Sequence, residues 1–145
     1  MNRIAPTIVL EVLLSIALSL LLLTAWQTLA SGDLLEGLGS AAYLLFFFND
    51  VAMLVWLAFL IVLAVRRKRV PEVGITIAAA LVGVVINVIM VAAIGFAQQG
   101  WFAFYVFFSI MAGGVFLVAV LVVTPIVQRL TAQSRHQTPN SSAAS

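Results

Sequence analysis

The stretch that decides the fold is residues 41–72, AAYLLFFFNDVAMLVWLAFLIVLAVRRKRVPE. Its apolar run from Ala41 to Val65 stops at four consecutive basic residues, and Pro71 follows. A helix needs roughly 20 apolar residues to cross a hydrocarbon core of about 30 Å, and this run is long enough. Arg and Lys beside the end of a span are retained in the cytoplasm. The stretch therefore predicts a transmembrane helix that ends at a cytoplasmic loop.

Three further apolar runs predict three more spans. The predicted spans cover about 8–29, 41–65, 73–97 and 101–127. The connections at 66–72 and 98–100 are short, and short connections join antiparallel neighbours. The sequence thus predicts an all-α integral membrane protein, an up-down antiparallel four-helix bundle over residues 1–130.

Charged and aromatic residues predict the orientation of these spans. The basic residues all fall on one side of the predicted bundle: Arg3, Arg66, Arg67, Lys68, Arg69, Arg129 and Arg135. The opposite connections carry Asp33 and Glu36, or only the uncharged residues 98–100. Interfacial aromatics sit near the ends of the spans on that opposite side: Trp26, Tyr43 and Trp101. We therefore expect the N and C termini and the basic loop to be cytoplasmic.

The two ends of the chain allow other interpretations. Thr28-Leu29-Ala30 before Ser31 loosely fits a signal-peptide cleavage site. The apolar stretch is longer than a signal core of about 7–15 residues and Glu11 interrupts it, so we expect it to stay uncleaved. Residues 131–145 are rich in Ser, Gln, Thr and Ala. They lack apolar area to offset ordering, which predicts a disordered polar cytoplasmic tail.

The composition limits the classes of function. Of 145 residues, 64% are hydrophobic and 8% charged, against about 25% charged in soluble domains, so lipid is the expected solvent. The compact multi-span plan suits a bacterial plasma membrane, which is the expected location. The net charge of +2 is spread over no single face, and we expect no nucleic-acid partner. There is no cysteine, and the single histidine, His136, lies in the polar tail. We therefore expect no metal, no haem and no other cofactor.

Polar residues recur at one depth in the predicted bundle. Asn49 and Asp50 lie in the second span, with Asp50 about 13 Å from its outer start at 1.5 Å per residue. Asn87, Ser109 and Ser19 come out at nearly the same depth on the other three spans. Polar groups in a span are costly unless they face protein or water. We expect these side chains to face one another, and specifically predict a hydrogen bond between Asp50 and Asn87.

Residues spaced four apart mark the faces that pack. Glu11, Ser15 and Ser19 form a polar stripe on the first span. Ala79, Gly83 and Asn87 form a small-residue groove on the third span, which lets another helix approach closely. The pair Gly113-Gly114 offers a second close approach or a bend in the fourth span.

Each of these features has two interpretations. The polar layer either fixes helix register through hydrogen bonds or relays protons or cations through Glu11, Ser15, Ser19, Asp50 and Asn87. The aromatic residues at 46–48 and 102–108 either pack against lipid and helices or form a binding cage. Trp56 packs in the bundle or against a partner. Arg66, Arg67, Lys68 and Arg69 either anchor the topology or bind anionic lipid head groups.

Two classes of function remain after these exclusions. No Ser/His/Asp set and no glycine-rich phosphate loop is present, so an enzyme is not expected. The favoured hypothesis is a non-enzymatic accessory or scaffold subunit that contacts other membrane subunits, or copies of itself, through its helices within the lipid bilayer. The alternative is a small homo-oligomeric transporter or channel, proton- or cation-coupled, that uses Asp50 and Glu11.

Overall fold

The computed structural model describes residues 4–143, which form five helices in this range. The helices are α1 (Ile4–Ser31), α2 (Leu34–Phe48), α3 (Asp50–Arg67), α4 (Val73–Ala97) and α5 (Phe102–Ala143). In this range α1, α4 and α5 are long and apolar enough to cross a membrane, and α2 with α3 makes a fourth candidate if the pair is one span. The all-α class and the apolar helices predicted from the sequence are therefore present.

The second predicted span is not one straight helix. It begins at Leu34 rather than Ala41, breaks at Asn49 and bends by 61° between α2 and α3. The early start follows from Asp33, whose carboxylate accepts the backbone N–H of Leu35 at 2.8 Å and caps α2. Glu36, which the apolar pattern places in a connection, consequently lies in the first turn of α2.

The helix ends have clear local causes. Lys68 adopts a left-handed conformation (φ 53°) and donates its backbone N–H to the carbonyl of Ala64 at 2.9 Å, which ends α3. Gly32 (φ 77°) makes the turn from α1 to α2, where a side chain would be strained. At the other end of the chain, α5 continues through residues 131–143, where the composition predicts a disordered tail.

The helices pack as a ring with one weak side. α1 packs along α2 and α5, and α4 packs between α3 and α5. After the bend, α3 follows α4 and barely touches α1. We call the end of the bundle that carries Arg66, Arg67, Lys68 and Arg69 the basic end. At this end a groove lies between α1 and α3.

The interior is divided into two apolar clusters at the level of the bend. One cluster is centred on Trp56 and Phe116, whose rings meet edge to face with centroids 5.3 Å apart. The other is centred on Leu23, Leu45 and Phe48. The indole Nε1 of Trp56 donates to the carbonyl of Thr76 at 3.2 Å. Trp56 therefore packs inside the bundle, which is the first of the two interpretations given for it from the sequence.

Candidate functional site

The break between α2 and α3 is held by α4 and α5. A helix that stops leaves backbone carbonyls without helical partners, and here one of them is the carbonyl of Phe48. Asn87 Nδ2 donates to this carbonyl and also to Ser109 Oγ, the latter at 2.9 Å. Ser109 Oγ lies 3.5 Å from the same carbonyl. Both side chains are fully buried, so the bend is fixed from two neighbouring helices.

The predicted hydrogen bond between Asp50 and Asn87 is wrong. Asp50 is exposed, and its carboxylate accepts the N–H of Val51 at 2.7 Å at the start of α3. The break turns Asp50 away from the interior, and Asn87 takes the free carbonyl of Phe48 instead. Asp50 is therefore separate from the buried polar layer to which the sequence assigned it.

Asn49 lies inside the bundle but is not hydrogen-bonded through its side chain. It is fully buried, and neither amide atom has a partner among residues 4–143. A Cβ atom at Gly113 would lie 3.6 Å from Asn49 Oδ1 and 2.7 Å from a methyl of Val84. Gly113 thus allows α5 to approach both the break and α4.

The small-residue positions differ in what they contact. A Cβ atom at Gly83 would lie 2.7 Å from the carbonyl oxygen of Ala52, so α3 and α4 meet there backbone to backbone. Ala79 is buried one turn away. Gly114, in contrast, has nothing within 4 Å of such an atom among the described residues. Close approaches are thus seen at Gly83 and Gly113, and none is seen at Gly114 among the described residues.

The polar stripe of α1 faces α5. Glu11, Ser15 and Ser19 are all fully buried, and Ser19 Oγ donates to the carbonyl of Ser15 at 2.7 Å. Gln128 of α5 donates its Nε2 to Glu11 Oε1 at 3.3 Å and to the carbonyl of Pro71 at 2.8 Å. Glu11 Oε2 has no partner among the described residues. The stripe and the polar layer at the bend are thus two different clusters.

The groove between α1 and α3 is a long concave surface. Its part near the basic end has a volume of about 580 Å³, with Ile8, Ile61 and Lys68 among its lining residues. A second hollow of about 290 Å³ continues the groove to the bend and shares Val12 and Leu57 with the first; its surface is apolar, although Asp50 is among its lining residues. The groove is therefore apolar along its length, with an acid at the bend and a base at the other end.

The predicted basic cluster lies on the surface. Arg66, Arg67, Lys68 and Arg69 are exposed, and Arg69 contacts Glu72 at 3.6 Å.

The aromatic residues pack mostly against one another: Phe48 meets Phe104, Tyr105 and Phe108 at centroid distances of 5.6–6.5 Å. Among residues 4–143, no group of three or more His, Cys, Asp or Glu side chains is placed to hold a metal ion.

The sequence interpretation missed Thr124, Gln128 and the groove. Thr124 and Gln128 are spaced four apart on α5, as Glu11 and Ser15 are on α1, and this matching spacing could have indicated a paired polar face.

The comparisons with known proteins find no match: no protein-family model, no curated protein and no solved structure is significantly similar to this chain.

Proposed function

We propose that this chain is a non-enzymatic accessory subunit of a larger membrane complex, in a bacterial plasma membrane. In this proposal α1, the bent pair α2–α3, α4 and α5 are four spans of an up-down antiparallel bundle. The termini and the basic end are cytoplasmic, as the positions of Arg and Lys indicate. The groove between α1 and α3 receives one transmembrane helix of a different subunit.

The exposure of Asp50 is the observation that supports this proposal most strongly. Asp50 lies at the bend, in the middle of a candidate span, and is exposed in the isolated chain. A carboxyl group that faces hydrocarbon is costly, and such residues in membrane proteins face protein, a cavity or a partner charge. A covering group with a hydrogen-bond donor is therefore expected at Asp50.

The chemistry of the groove indicates what covers it. Lipid acyl chains would fill an apolar groove but offer no donor to Asp50. A second copy of the chain offers none either: apart from its own Asp50, whose carboxylate would repel that of the first copy, the exposed side chains near this depth in residues 4–143 are apolar, for example Leu54, Ile86 and Ile110. The occupant that fits is a foreign apolar helix with a mid-span Lys, Arg, Asn or Gln, since these side chains donate hydrogen bonds.

The mass of the intact particle tests this proposal. We expect gentle detergent extraction at native expression to yield a particle that contains this 15.5 kDa chain and a different, larger polypeptide. Asp50→Leu should release that partner, whereas Asp33→Asn, a change at an exposed acid outside the candidate spans, should retain it. Recovery of the wild-type chain alone, or only with copies of itself, would contradict the proposal.

One observation favours the alternative, a homo-oligomeric proton- or cation-coupled transporter. Glu11 is a buried carboxyl group with an oxygen that lacks a partner among the described residues. Glu11 faces α5, however, whereas Asp50 lies in the groove beside Val12 and Ile16, so apolar residues separate the two acids. This alternative predicts that Asp50→Asn and Glu11→Gln each abolish coupled flux into vesicles. Unchanged flux in both variants would exclude the transporter alternative.

A further inference from the structure

The buried face between α1 and α5 has more polar oxygens than hydrogen bonds. Glu11, Ser15 and Thr124 are each fully buried. Glu11 Oε2, Ser15 Oγ and Thr124 Oγ1 have no hydrogen-bond partner among residues 4–143. Buried polar groups in proteins nearly always have a hydrogen-bond partner or another ligand. Three oxygens without a partner on one pair of helices therefore indicate a bound ligand.

The packing of the two helices places these residues at nearly the same level of the bundle. The contact between Glu11 and Gln128 sets the register. Leu14 and Leu18 of α1 line one hollow with Val122 and Ile126 of α5, which shows that the helices run in opposite directions there. One turn from the Glu11–Gln128 contact, Ser15 and Thr124 therefore lie opposite each other.

Pro125 adds a further oxygen to this group. Proline has no N–H, so the carbonyl four residues earlier loses its helical partner. In α5 that carbonyl belongs to Leu121. It is also the carbonyl three residues before Thr124, on the same turn of α5, and Thr124 Oγ1 makes no hydrogen bond to it. The region thus offers a carboxylate, two hydroxyls and a free backbone carbonyl.

We propose that Glu11, Ser15, Thr124 and the carbonyl of Leu121 form a binding site for one monovalent alkali cation. Hard cations prefer oxygen ligands, and helices with freed carbonyls coordinate Na⁺ in membrane proteins. One carboxylate balances one positive charge, which disfavours Ca²⁺ and Mg²⁺. The lack of nitrogen and sulfur ligands disfavours the softer transition metals.

Gln128 is a positioning residue for this site. Its Nε2 donates both to Glu11 and to the carbonyl of Pro71 in the connection between α3 and α4. The hydrogen bond to Glu11 Oε1 leaves Oε2 free for the cation. Because Pro71 belongs to the connection at the basic end, Gln128 also links the site to that end of the bundle. The site concerns the bundle interior and does not depend on a partner in the groove.

Thermal unfolding of the purified full chain in detergent tests the site. A ligand that binds only the folded state raises the unfolding midpoint as its concentration rises. We expect a saturable rise of several degrees in NaCl, KCl or LiCl relative to choline chloride at equal ionic strength. The rise should disappear in Glu11→Gln and persist in Glu36→Gln, whose carboxylate is exposed on α2. In Gln128→Leu the half-saturating concentration should increase about tenfold or more.

Two results would overturn the site. Equal midpoints of the wild-type chain in choline and in all three alkali chlorides would exclude it, as would an undiminished rise in Glu11→Gln. If Glu11→Gln does not fold, Thr124→Val serves in its place, because it keeps the charge and shape but removes one ligand. Direct binding of ²²Na⁺ to the wild-type chain supplies a readout independent of stability, expected at one ion per chain and competed by the alkali cation that stabilises most.

Discussion

At the scale of single residues, Asn87 provides a hydrogen-bond donor that the helical backbone does not supply. The bend deprives the carbonyl of Phe48 of a helical partner, and Asn87 supplies the donor from α4. Ser109 receives the second Nδ2 bond and adds a weak contact from α5 at 3.5 Å to the same carbonyl. A buried carbonyl left without a donor costs roughly 1–3 kcal/mol. Because Asn87 makes the closer contact with this carbonyl, we expect its contribution to stability to exceed that of Ser109.

Substitutions at these two positions should therefore differ in effect. We expect Asn87→Leu to lower the free energy of unfolding by about 1–3 kcal/mol, because the carbonyl of Phe48 loses its main donor. Ser109→Ala should cost about 1 kcal/mol or less, since Asn87 still reaches that carbonyl. Reversible unfolding in mixed detergent micelles measures both. Equal losses, or a larger loss for Ser109→Ala, would show that the bend is not held in this way.

The sequence predicts the residues of this layer better than their partners. It identifies Asn87 and Ser109 as buried polar groups at one depth, and the structure brings them within 2.9 Å. It gives Asn87 the wrong partner, because a free backbone carbonyl is created only by the bend and has no side-chain signal. The adjacent polar pair Asn49-Asp50 in an apolar run is the one feature that indicates a break.

At the scale of helices, backbone contact holds α3 against α4. Gly83 meets the carbonyl of Ala52, and the neighbouring Ala79 and Ala80 are buried in the same interface. Small residues let two helices approach until backbone atoms touch, which strengthens packing where hydrocarbon gives no hydrophobic drive. The four-residue spacing predicts this face correctly, because helical periodicity alone determines which residues share a face.

Gly83 and Gly114 form a matched pair that tests this interface. Gly83→Ala should destabilise the fold by about 1–3 kcal/mol, because its methyl group would overlap the carbonyl of Ala52. Gly114→Ala should be neutral or stabilising by up to about 1 kcal/mol, since the position is open and alanine favours a helix. The same micelle unfolding assay compares them. A stable Gly83→Ala with an unstable Gly114→Ala would reverse the assignment of the packed face.

The bend shapes the surface of the whole molecule. Because α3 turns towards α4, the chain has an apolar groove beside α1, with Asp50 at one end and Lys68 at the other. Hydrophobicity predicts long apolar helices, but not this groove, since its width depends on the 61° angle between α2 and α3. Orientation in the membrane depends on the charges at the ends of the helices, which the sequence displays directly.

The proposed topology is testable because the chain has no cysteine. A single cysteine at Lys68 should react with a membrane-impermeant maleimide only after cells are permeabilised. Single cysteines at Ser31 and Gln98, exposed at the opposite connections, should react in intact cells. The positive-inside rule is the physical basis for this expectation. Labelling of the Lys68 position in intact cells would invert the orientation, and labelling at only one of the other two would change the number of spans.

Photo-crosslinking in native membranes tests most directly whether the groove holds a helix of another subunit. A photoreactive residue at Ile61 would lie in the groove, whereas one at Val118 would lie on an exposed face of α5 outside it. We predict that Ile61, and not Val118, gives an adduct with an apolar segment of a different polypeptide carrying a mid-span Lys, Arg, Asn or Gln. Adducts from Ile61 with lipid alone, or with another copy of this chain, would contradict the account.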